Sequence, residues 1–201
     1  MSVTMDKALA ADPAPLGLAA FAFTTFLLSF ANAGWLPSTT TAVVLPLALA
    51  YGGLCQLLTG VFEMRKGNTF GFTAFCSYGA FWLFYALLVL LASMSIITPI
   101  SSAVGATLIL WGIFTFYMWI PSMSITRALS LVFLFLWITF FFLGAGDLYG
   151  ISRLTTIGGY LGIITACLAA YTSFAIVTNS VVGPGTIPLG KGMAWRKAKP
   201  S

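Results

Sequence analysis

The chain has 201 residues, 60% hydrophobic and only 6% charged, with nine Lys or Arg, four Asp or Glu and no histidine. A soluble domain of this size needs more charge to solvate its surface, so a soluble enzyme or binding module is excluded and an integral membrane protein is implied. The net charge of +5 is not a nucleic-acid signal, because four of the nine basic residues fall in the last eleven positions, where they read as cytoplasmic anchors. Without histidine the chain lacks the commonest metal ligand and the usual proton relay near neutral pH. Cys55, Cys76 and Cys167 lie in apolar runs and are odd in number, which suits small packing residues rather than disulfides or metal ligands. No cofactor is expected.

The first span covers about 13–32. Asp12 is a good N-cap and Pro13 suits the first helical position. Within the span Phe21, Thr25, Ser29 and Asn32 recur at spacings of four, four and three, so they share one face. A lipid-facing helix has no use for that polar stripe, whereas a helix lining a path has. Lys7, the apolar run and Ala31-Asn32-Ala33 imitate a signal peptide, but Thr24, Thr25 and Ser29 interrupt the run and further spans follow it. Those spans cover about 42–63, 71–94, 103–120, 125–143 and 158–179. Pro46, Pro99 and Pro121 sit near span ends, where a missing N–H is cheap.

This predicts an all-α integral membrane protein: one six-helix domain over 1–201 with short tails at 1–11 and 180–201, the longest loop being about 144–157. Short connections predict antiparallel neighbours. With the N-terminus inside, the cytoplasmic segments carry Lys7, Arg65, Lys66, Arg127, Lys191, Arg196, Lys197 and Lys199, against Arg153 alone outside. That asymmetry places both termini in the cytoplasm. LGLAAF (16–21) resembles FGFTAF (70–75) and GVFE (60–63) resembles GIFT (112–115), which hints at three related hairpins made of spans 1–2, 3–4 and 5–6. Gly158, Gly159, Gly162, Ala166, Ala169 and Ala170 allow close helix approach in lipid, and Trp35, Trp119 and Trp195 read as interface anchors.

Few intramembrane polar residues need a reason. Glu63 is the one acidic residue expected within a span, and it shares a face with Gln56 and Thr59. Either it lines a polar mouth and accepts a proton, or it ends its helix and pairs with Arg65, Lys66 or a neighbouring helix. Asp6, Asp12 and Asp147 lie outside the expected spans or at their edges. No Lys or Arg lies deep in a span, so the path suits a small species that is weakly charged, or neutral in transit. Thr24, Thr25, Asn32, Gln56, Ser77 and Tyr78 supply hydrogen-bonding groups for a carboxylic acid or small amine, and aromatic and aliphatic residues can close a dry constriction. No Ser/His, Cys/His or paired-carboxylate set and no metal set suggests an enzyme.

DPAPLGL at the start, YGGLCQLLTGVFEMRKGNTFGFTAFCSYGAFW at 51–82, LWGIFTF at 110–116 and GTIPLGK near the end resemble the acetate uptake transporter family over nearly the whole chain. That family includes bacterial succinate–acetate/proton symporters and fungal acetate and ammonia-transport-outward proteins. The resemblance implies six helices per protomer in a homohexamer of the cell membrane, with one path per protomer for acetate, succinate or related short carboxylates, and coupling to protons. It also implies a narrow constriction at Phe21, Tyr78 and Leu136. From the residues themselves, Ala169 is read as a small path-lining residue, and Glu63 and Asp12 as candidate proton-linked groups. Lipid, small carboxylates, protons and further copies of the chain are thus the expected partners. The family motif usually opens with Asn, where this chain has Asp12. Asp caps a helix about as well as Asn, but the negative charge is new.

Overall fold

Six helices long and apolar enough to cross a membrane run as α1 (Ala14–Asn32), α2 (Ser38–Lys66), α3 (Thr69–Ser93), α4 (Ser101–Ser122), α5 (Arg127–Tyr149) and α6 (Ser152–Val182) in a computed structural model describing residues 11–194. Lys7, Asp6, Trp195, Arg196, Lys197 and Lys199 lie outside the described residues. Apolar runs this long become helices because only a helix satisfies its own backbone polar groups in lipid.

The helix ends follow local chemistry. Pro13, not Asp12, occupies the N-cap of α1, yet the Asp12 carboxylate still accepts from the Ala14 N–H at 3.1 Å. Asn68 Oδ1 accepts from Gly71 N–H at the start of α3, and Thr126 Oγ1 from Leu129 N–H at the start of α5. Gly67 and Gly150 end α2 and α5 in the left-handed conformation, with φ of 78° and 65°. Helix α2 is composite. Pro46 lies inside its first α-helical stretch (Thr41–Leu47), a wider π-helical stretch follows (Ala48–Cys55), and α-helix resumes over Gln56–Lys66.

The expected loop at 144–157 is instead helix on both sides of Gly150 and Ile151. Gly144 in this stretch serves close packing. A methyl on Gly105 would lie 2.7 Å from the Gly144 carbonyl oxygen, and one on Gly144 would lie 2.9 Å from that of Gly105. Helix α5 packs between α4 and α6, α6 packs on α1, and α2 packs on α3. The expected hairpin of spans three and four is not a backbone contact. Helices α3 and α4 stand apart and meet through rings, with Tyr78 at 5.6 Å from Phe114 and Phe81 at 5.2 Å from Trp111. That aromatic seam forms one side of the core.

The chain beyond α6 turns back along the same end of the bundle. Arg127 and Ala128 N–H groups, free at the start of α5, donate to the carbonyls of Gly190 and Leu189. Lys191 pairs with Thr126 as an isolated β-bridge, and Asn179 holds Ile187 through both its amide groups.

Candidate functional site

Two cavities penetrate the bundle from opposite ends. The first, about 230 Å³, opens beside Asp12, Lys66 and Asn68 and runs inward past Leu18, Gln56 and Phe133 to Phe21, Tyr78 and Leu136. The second, about 150 Å³, begins at Phe21 and Leu136 and runs past Thr25, Ser29 and Thr139 to Asn32, Asp147 and Thr155. Phe21 and Leu136 line both cavities, so they are the partition between them.

The partition is rigidly supported. Phe21, Tyr78 and Leu136 are buried, each less than 7% exposed. Tyr78 is ringed by Phe21, Trp111, Phe114 and Phe133, with centroid separations of 5.6–6.1 Å. Its hydroxyl donates to Thr115 Oγ1 at 2.9 Å, and Thr115 donates onward to the Trp111 carbonyl at 2.7 Å. The ring is therefore held from the α4 side while its face closes the end of the first cavity. Apolar side chains fill the partition, which leaves an ion crossing it without replacement for its hydration shell.

The mouth of the first cavity is polar and internally paired. Lys66 Nζ lies 2.8 Å from Asp12 Oδ1, the same oxygen that accepts the Ala14 N–H. Asn68 donates to Glu63 Oε2 at 2.6 Å and accepts from Gly71 N–H at 3.1 Å. Glu63 thus pairs with Asn68 rather than with Arg65 or Lys66, and Arg65 stacks over the Phe62 ring at 5.8 Å. Glu63 is fully buried behind the lining and its Oε1 has no partner among the described residues.

The other singled-out residues divide. Thr25 and Asn32 line the second cavity, and Gln56 and Asp12 line the first. Thr24, Ser77, Thr59 and Ala169 line neither. Thr24 is fully buried, spends its hydroxyl on the Ala20 carbonyl and packs where a Gly52 Cβ would be, while Thr59 does the same with the Cys55 carbonyl. Ala169 is fully buried within the hydrophobic core. Ser77 is half-buried on α3 beside Tyr78. Trp35 is exposed, stacks on Phe30 at 5.5 Å and donates to the Tyr160 hydroxyl, whereas Trp119 packs inward on Trp137 at 6.1 Å.

Several lining residues were not singled out from the sequence. Thr139 sits one turn after Leu136 and could have been found by helical spacing. Leu189 lies in GTIPLGK, and only the return of the tail brings it to the first cavity. Phe133 and Phe81 lie one turn from Leu136 and Tyr78 and could have been found by the same spacing.

Residues 2–191 match the family described as GPR1/FUN34/yaaH. The chain belongs to this family. A solved structure of the bacterial acetate channel SatP superposes with a TM-score of 0.87 at 36% identity, covering 90% of this chain and 99% of that one. The succinate-acetate/proton symporter SatP of Escherichia coli (strain K12) is 35% identical over 188 residues, 93% of this chain and 99% of that protein. Acetate permease A of Emericella nidulans is 40% identical over 186 residues, 85% of this chain and 62% of that protein. Ammonia transport outward protein 2 of Saccharomyces cerevisiae is 39% identical over 171 residues, 82% of this chain and 61% of that protein. Like its GPR1/FUN34/yaaH relatives, this is a multi-pass membrane transport protein and not an enzyme.

Proposed function

We propose that this protein carries acetate and related short carboxylates, succinate among them, across the plasma membrane by a path inside each protomer. The observation that carries this reading is the pair of cavities with Phe21 and Leu136 common to both. Substrate enters one cavity, crosses the constriction of Phe21, Tyr78 and Leu136, and leaves by the other. Thr25 and Asn32 on one side and Gln56 on the other offer hydrogen bonds along the way. The names of its relatives in Escherichia coli and Emericella nidulans supply the class of cargo.

The first cavity is the cytoplasmic one in this reading. Lys66, Arg127 and Lys191 gather at its end of the bundle and Arg153 lies at the other, an asymmetry that supports a reading with both termini inside. The protomers assemble as a homohexamer, and uptake is driven by the proton gradient. Glu63 and Asp12 are the protein carboxyls against which that coupling is tested.

The deciding experiment is uptake of labelled acetate into liposomes holding the purified protein, with and without an inward proton gradient. Accumulation faster than the pH partition in protein-free vesicles, lost with a protonophore, supports coupled uptake. Simple equilibration makes the path a channel, and no flux above protein-free vesicles sinks the reading. The yeast relative's name favours ammonia as a second cargo. Competition by ammonium, with propionate inert, would favour it over acetate.

A further inference from the structure

Each polar side chain lining the first cavity has a partner within the protein, with one exception. Lys66 is held by Asp12. The Asn68 amide is shared between Glu63 and Gly71. Thr126 accepts from Leu129, Thr172 donates to the Leu168 carbonyl at 2.7 Å, and Tyr78 donates to Thr115. The exception is Gln56, which lines the cavity, is 1% exposed, and has an Oε1 with no hydrogen-bond partner among the described residues. Burying an amide oxygen unpaired is costly, so an occupant of the cavity that can donate to it is favoured.

A primary amide presents an acceptor and a donor side by side. An undissociated carboxylic acid matches both, its O–H facing the amide oxygen and its C=O facing the amide NH₂. The match survives a 180° turn of either group. A carboxylate is acceptor-only: it would satisfy the NH₂ and leave Oε1 facing another negative oxygen. The charges on the path agree. Asp12 ahead of α1, Lys66 on α2 and Tyr78 on α3 are the titratable groups around the first cavity; Glu63 lies behind it, tied to Asn68, while α5 and α6 present apolar residues and Thr172. Lys66 is already neutralised, and the charged side chain lining the second cavity is the anion Asp147. Among the described residues, neither cavity offers a carboxylate an unpaired cation.

We propose that Gln56 is a binding station for small uncharged solutes bearing a donor and an acceptor on one carbon. These are the undissociated short carboxylic acid and the corresponding primary amide, rather than the carboxylate anion. The inference rests on the transport reading above and specifies its cargo: the coupled proton crosses on the acid itself.

The test compares three small solutes, each carrying one methyl group, in vesicles containing the full chain, each corrected for protein-free vesicles: acetate, acetamide and methanesulfonate. Acetamide enters and the permanently charged methanesulfonate does not. The half-saturation for total acetate rises roughly tenfold per pH unit from about pH 6 to about pH 8, following the undissociated fraction, while that for acetamide stays flat. Gln56→Met, checked for an unchanged elution profile in detergent, raises the half-saturation for acetate and acetamide together, by about tenfold. Entry of methanesulfonate as fast as acetate, a pH-independent half-saturation for acetate, or exclusion of acetamide would each overturn the inference while leaving acetate transport standing. These solute comparisons need only the unmodified chain, so they decide the matter even where Gln56→Met fails to fold. Absence of acetate flux at every pH would overturn the transport reading itself.

Discussion

Phe21 on α1 and Tyr78 on α3 meet with ring centroids 5.8 Å apart and planes tilted by 56°. They are 57 positions apart in the chain, yet this contact closes the inner end of one cavity, and Phe21 opens the next. Both rings are buried in this tilted contact, which presents a crossing ion with apolar surface.

Truncating this contact should widen the passage. Leu136→Ala and Tyr78→Ala should each admit carboxylates one or two methylenes larger than the unmodified chain accepts. Competition of labelled acetate uptake by butyrate and longer acids measures it. An unchanged size cutoff in both variants would remove the gate from these residues. Because Leu136 is 4% exposed, its truncation should also cost about 3 kcal/mol of stability.

The Tyr78 hydroxyl is separable from its ring. Tyr78→Phe deletes the donor to Thr115, but Thr115 keeps its own bond to the Trp111 carbonyl. The expected loss is about 1 kcal/mol in thermal unfolding, with the size cutoff unmoved. A changed cutoff would mean that the hydroxyl, not the ring, sets the passage.

Asp12 serves two donors at once, the Lys66 ammonium and the Ala14 N–H. Both charged side chains are more than 40% exposed, so the ion pair itself contributes little. Asp12→Asn should therefore change stability by less than about 1 kcal/mol and keep the turn into α1, whereas Asp12→Ala loses the acceptor and should cost about 1 kcal/mol more. Melting temperatures in low and high salt separate the two, since only the charge term is screened.

Glycine tolerance should differ along α4. A methyl on Gly105 meets the Gly144 carbonyl and the Leu148 N–H, each at 2.7 Å, and backbone does not yield. One on Gly112 meets the Phe140 Cβ at 3.3 Å, a contact that a few tenths of an ångström relieves. Gly105→Ala should cost about 2 kcal/mol and reduce yield, and Gly112→Ala should be close to neutral. Equal melting temperatures would refute the packing argument.

Glu63→Gln addresses coupling. The amide oxygen of Gln can still accept from Asn68, so the mouth keeps its shape. If the proton crosses on the cargo, gradient-driven accumulation of acetate persists in this variant. Loss of accumulation with retained equilibration would assign the proton to Glu63 instead.

What the sequence by itself determined follows from periodicity and from the cost of polar groups in lipid. The apolar runs determined six helices, Asp12 and Pro13 marked where the first begins, and the clustering of basic residues marked one end. The stripe of Phe21, Thr25, Ser29 and Asn32 already placed four cavity-lining residues on one face of α1. The sequence could not tell Thr25 from Thr24. One step of about 100° along α1 turns Thr24 away from the cavity and against Gly52 of α2, and only the packing of α2 against α1 decides which direction is the path. The same holds for the 144–157 stretch, expected as a loop, where Gly144 and Gly146 act in the bundle as points of close helix approach. Leu189 reaches the first cavity only because the tail beyond α6 satisfies the free N–H groups of α5. A helical period fixes what shares a face; the helices brought from elsewhere in the chain decide what that face meets.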